Sequence, residues 1–92
     1  MLKWTFITNH AAVLSSISHN PTITARELAL EIGISERAIR RIISQLHSAD
    51  YIMKKKEGRR VRYQINPRAP MRHRTNKDKP VGELLKVLNP PR

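Results

Sequence analysis

At 92 residues the chain has room for one domain with a modest core, which leaves it little stability to spare. It contains no cysteine, so disulfide staples, thiolate metal sites and cysteine nucleophiles are excluded together. Lys and Arg number 18 against 7 Asp and Glu, a net charge of +11 that calls for a polyanionic partner, either nucleic acid or an anionic membrane surface. The excess is unevenly placed: residues 1–50 hold five basic and four acidic groups, and residues 51–92 hold the other thirteen basic groups against three acids.

No apolar run approaches the roughly 18 residues of a membrane span, and Met1 to Asn9 lacks the apolar core of a signal peptide. A soluble, cytoplasmic chain with no membrane partner is expected. Trp4-Thr5-Phe6-Ile7 is short and apolar, and Thr8 or Asn9 can cap a helix that follows. Val13, Leu14 and Ile17 give His10 to Ser18 a helical period, which Asn20-Pro21 ends. Thr24-Ala25-Arg26-Glu27 has the form of a capping box. The short second helix it opens has Leu28, Ala29 and Ile32 on one side and Leu30 on the other. Gly33 suits the left-handed conformation that closes such a helix.

Ser35 caps a third helix in which Ile39, Ile42, Ile43 and Leu46 form one stripe. At about 100° per residue, Arg37, Arg41, Ser44 and Ser48 project from the opposite side, with Arg40 on its flank. Two helices joined by a tight glycine turn make a helix-turn-helix. After Asp50 the period changes to that of strands: Tyr51 to Lys56 and Arg60 to Ile65 predict a hairpin, with Glu57-Gly58 as its turn. Three helices followed by a basic hairpin predict a mainly α fold with a small β wing (α+β), a winged helix-turn-helix. The domain is expected to span residues 1–66. Residues 67–92 are read as a basic linker and a final helix from Pro80 to Leu88, packing on the domain or on a dimer partner.

A helix fits the major groove, and arginine can bond bidentately to guanine. Arg37, Arg40, Arg41 and Ser44 therefore supply chemistry for base and phosphate contacts. Six of the nine residues from Lys54 to Arg62 are basic, more than protection of a strand edge requires, and such a loop can lie on the phosphate backbone or enter the minor groove. Arg68, Arg72, Arg74, Lys77 and Lys79 form a second basic group, which reads equally well as a backbone contact or as a flexible charged linker. The histidines (His10, His19, His47 and His73) lack ligand spacing. No phosphate loop, nucleophile elbow or metal-binding helix pair is present, so no catalytic residue, metal or cofactor is expected.

Residues 22–65 resemble the winged-helix domain of MarR- and ArsR-type transcriptional regulators. The segments that carry the likeness are Thr24 to Ala29, Gly33-Ile34-Ser35-Glu36-Arg37-Ala38-Ile39, Leu46, Tyr51-Ile52 and Glu57 to Tyr63. Trp4 to His10, Arg72-His73 and Val81 to Leu85 are similar to a subgroup of short stand-alone regulators. The resemblance implies that Ser35, Arg37, Ala38, Arg40, Arg41 and Ser44 face the major groove. It places Arg59, Arg60 and Arg62 on the wing, to which the basic hairpin pattern adds Lys54, Lys55 and Lys56, and it implies a homodimer on a near-palindromic operator. Asp50 stands where the family often has glycine, and aspartate tolerates left-handed geometry better than most residues. ArsR-type metal sensing is not implied, because its cysteines are missing. A MarR-type ligand pocket is not implied either, because the long helices that build it are missing. The expected function is sequence-specific regulation through duplex DNA. A non-specific architectural protein and a winged-helix protein–protein adaptor are the alternatives, with RNA binding disfavoured by the few aromatics.

Overall fold

Each helix expected in the first half forms, and each starts on the hydroxyl residue that caps it. The protein is described by a computed structural model over residues 4–89. The first three residues of the Met1–Asn9 stretch, and the last three of the C-terminal segment, lie outside the described residues. Helix α1 (Asn9–His19) is capped by Thr8, whose hydroxyl accepts from the Ala11 amide at 3.1 Å. Helix α2 (Ala25–Ile32) carries the complete capping box: Thr24 N donates to Glu27 Oε1 at 2.9 Å, and Glu27 N donates to Thr24 Oγ1 at 3.1 Å. The backbone hydrogen bond from Thr24, followed by its hydroxyl, holds the Glu27 carboxyl below its usual pKa; desolvation opposes them, and the charge of Arg60 adds the smallest contribution. A lowered carboxylate pKa adds stability above the ordinary value and loses it on acidification, so the cap weakens only as pH falls through the carboxylate range. Helix α3 (Glu36–Ser48) is capped by Ser35 through the Ala38 amide.

Gly33 joins α2 to the turn at φ +84°, a left-handed conformation that side chains resist. Asp50 turns the chain out of α3 at φ +64°, so the position does have left-handed geometry. Val13, Leu14 and Ile17 of α1, Leu28 of α2 and the α3 stripe from Ile39 to Leu46 meet in one core, while Leu30 faces solvent.

Strands β1 (Ile52–Glu57) and β2 (Arg60–Ile65) pair antiparallel from Ile52↔Ile65 to Glu57↔Arg60. The turn is therefore Gly58-Arg59, one residue later than the expected Glu57-Gly58, because Glu57 is still paired. Gly58, at φ +62°, takes the first central position, and Arg59 keeps a negative φ, the pattern of a II′ turn. The hairpin is not free-standing. Tyr63 N donates to Pro21 O at 2.8 Å, and Arg60 Nη1 donates to Thr22 O at 3.1 Å, tying β2 to the α1–α2 connection.

Beyond the hairpin the chain runs back over the core. Ala69 is buried, and the Tyr51 hydroxyl donates to Pro70 O. Helix α4 (Val81–Leu88) follows Pro80 and packs on α1 through Val81 and Leu85. Asn89 Nδ2 fixes its far end by donating to Ser15 O at 2.8 Å and to Ser15 Oγ at 2.7 Å. A methyl group at Gly82 would lie 2.8 Å from Pro67 Cβ and 2.9 Å from Pro67 O, the atom that the Gly82 amide donates to. Gly82→Ala is expected to cost about 1–3 kcal/mol by overpacking, read as a lower denaturant midpoint at an unchanged slope.

Candidate nucleic-acid interface

The stripe that buries Ile39, Ile42, Ile43 and Leu46 fixes which way the rest of α3 points. Arg37, Arg41, Ser44 and Ser48 are exposed on its far side, as the helical period requires. Ser35 is exposed at the start of the helix with its hydroxyl committed to the cap, and Ala38 is half-buried on a flank. Arg40 takes the other flank, 3.4 Å from Glu36 Oε2. Burial pushes the Tyr63 phenol above its ordinary pKa, and the nearby Arg40 charge opposes that rise. The charge of Arg40 therefore reaches the hairpin.

The register divides the basic residues of the hairpin between its two faces. Lys55, Glu57, Arg60 and Arg62 share one face, and Lys54, Lys56 and Tyr63 share the other. Arg62 is held by Glu57 at 2.9 Å, and Arg60 stands 4.0 Å from Glu27. Lys54, Lys55, Lys56 and Arg59 have no ion-pair partner among the described residues and are exposed. The hairpin thus has two kinds of cation: engaged arginines, Arg60 tied to the domain and Arg62 paired across the hairpin itself, and lysines, with Arg59 at the tip, left free toward solvent.

Two features were not legible in the sequence. His10 Nε2 lies 2.7 Å from Gln45 Oε1, so the start of α1 borders the exposed face of α3. A groove of roughly 840 Å³ opens along that side, bordered by Phe6 and Leu14, by Ser44 and Ser48 of α3, and by Arg72 and His73. These partners are far apart in the chain, and no local pattern announces them. Among the described residues, no three His, Asp or Glu side chains are grouped to hold a metal ion.

Residues 8–53 match the sequence profile of the family described as winged helix-turn-helix DNA-binding. The chain belongs to that family. The match begins at the cap of α1 and ends in β1, so it covers the helix-turn-helix and the entry to the wing. The winged helix-turn-helix is also similar in structure to the zinc-dependent MarR family transcriptional regulator AdcR in its Zn(II)-bound state, at 20% sequence identity and a TM-score of 0.52. The similarity covers 72% of this chain and 47% of that one, so the chain spans about half the length of that regulator. No curated protein matches the sequence. No helix among the described residues is long and apolar enough to cross a membrane.

Proposed function

We propose that this winged helix-turn-helix is a cytoplasmic transcriptional regulator that binds double-stranded DNA sequence-specifically as a homodimer. The observation that carries this reading is the exposed α3 face with Arg37, Arg41 and Ser44, flanked by a hairpin whose Lys54, Lys55, Lys56 and Arg59 are free of ion pairs. Helix α3 enters the major groove, where Arg37 and Arg41 supply guanine-type contacts, and the hairpin lies on the phosphates. Arg40 works between the two, Arg60 holds the wing to the domain, and Arg62 braces the hairpin internally.

Exposed apolar side chains of α4 and of the N-terminal stretch offer the surface for a second copy. Leu85 belongs to the chain's own core, whereas Val87 is 77% exposed and Leu84 and Leu88 are half-buried beside it. Trp4 and Phe6 are exposed too, and Phe6 and Leu84 border the same groove. An isologous interface across this side sets the spacing of two DNA half-sites.

The test is fluorescence anisotropy with a random duplex and with a duplex selected from a random pool by the protein itself. A regulator holds the selected duplex as salt rises and loses the random one steeply. Equal, salt-sensitive binding to both would instead mark a coating protein. No binding to either would leave the adaptor as the better reading. A monomeric mass in sedimentation at tens of micromolar would remove the dimer.

A further inference from the structure

We infer that the loop from Met71 to Lys79 is a second arm for the DNA backbone, set on the flank of α3 opposite the hairpin. The inference rests on the DNA-binding reading of α3. It resolves the basic group that the sequence leaves between a contact and a flexible linker.

The loop is closed at its base and braced inside. Met71 N donates to Lys79 O at 2.9 Å, and Pro70 and Pro80 form a β-bridge at its neck. Asn76 N donates to His73 O and Lys79 N to Asn76 O, both at 3.0 Å, and His73 Nδ1 lies 2.7 Å from Thr75 Oγ1. Arg72, Arg74, Lys77 and Lys79 are exposed on this frame, and none has an ion-pair partner among the described residues, although Asp78 lies in the same loop.

Its position follows from α3. At about 100° per residue, Arg40 and Gln45 stand about 140° apart, one on each flank of the exposed face. The charge of Arg40 on one flank acts on Tyr63 of the hairpin, and the Gln45 flank meets His10. Arg72 and His73 border one groove with Ser44, Gln45 and Ser48, so the loop stands beside the Gln45 flank, and no carboxylate lines that groove. A helix seated in the major groove has a phosphate strand along each wall. The hairpin meets one wall, and the loop is placed to meet the other. Residues 72–79 carry no exposed apolar side chain that would anchor the loop in a lipid surface, which favours duplex DNA over an anionic membrane.

The experiment measures duplex affinity against salt for the wild-type chain, for the triple variant Arg72→Ala, Arg74→Ala, Lys77→Ala, and for Lys86→Ala on α4. Each phosphate contact contributes about 0.9 to the slope of log affinity against log salt, so the triple variant should have a slope shallower by about 2.7. Lys86→Ala should keep the wild-type slope. The double variant Arg72→Lys, Arg74→Lys should also keep most of the slope, since a phosphate needs the charge and not the fork, and this variant separates lost contacts from a disturbed loop. A triple variant that is folded by circular dichroism and retains the wild-type slope would overturn the inference while leaving α3 as the reader of DNA. Loss of cosedimentation with phosphatidylserine–phosphatidylcholine vesicles at an unchanged DNA slope would overturn it in favour of a lipid surface. A wild-type chain that binds no duplex would remove the reading on which it rests.

Discussion

Ile39→Ala removes about 2–5 kcal/mol of stability, a large part of what a domain of this size has. Ile39 is fully buried, at 0% exposure, on the stripe that seats α3 against α1 and α2. The cost has two parts: the transfer of the lost methyl and methylene groups, and the cavity left where surrounding helices relax only partly. In a domain of this length each kcal/mol lowers the melting temperature by about 4–8 °C. Thermal melting followed by circular dichroism should therefore show a drop of at least 8 °C, about the least that a 2 kcal/mol loss produces. A shift smaller than about 4 °C, the effect of less than 1 kcal/mol, would mean that α3 is held by something other than this stripe.

The second large effect is on selectivity. Arg37→Ala combined with Arg41→Ala should cost about 2–6 kcal/mol of discrimination between selected and random duplexes, at about 1–3 kcal/mol for each bidentate contact. Lys55→Ala, which removes an unpaired lysine of the hairpin, should instead weaken both duplexes alike and make the salt slope shallower by about 0.9. Both are read in one anisotropy series. Equal losses on both duplexes from the arginine pair would show that α3 contributes charge and not base recognition.

Much of the scaffold could be read in the sequence because its signals are short-range. Thr8, Thr24 and Ser35 act on amides three residues away, and Gly33 and Asp50 act on their own backbone angles. The stripe from Ile39 to Leu46 needs only the helical period, and it also fixes the exposure of Arg37 and Arg41. The sequence pattern does not fix the hairpin turn to the residue, because both placements keep Gly58 in the turn. Only the Glu57↔Arg60 pairing tells them apart.

What was not legible depends on residues far apart in the chain. No local pattern shows that β2 hangs from Pro21, that Gln45 is held by His10, or that Gly82 is glycine because Pro67 lies against it. The loop from Met71 to Lys79 has the composition of a linker, with prolines and scattered charge. It is closed by main-chain hydrogen bonds that composition does not encode. The same limit applied to the wing, where the sequence counts six cations but only the paired register shows which of them are already engaged.

The edge-to-face pair of Trp4 and Phe6, with ring centroids 5.0 Å apart, stands outside the core, at 69% and 90% exposure. Trp4 is the only tryptophan in the chain. Its fluorescence is therefore nearly blind to the melting of the isoleucine core, since the indole is already in water when the chain is folded. The same ring would shift to shorter emission wavelengths as soon as another surface covered it. The protein thus carries an optical probe of what docks beside α1, separate from the signal of its own folding.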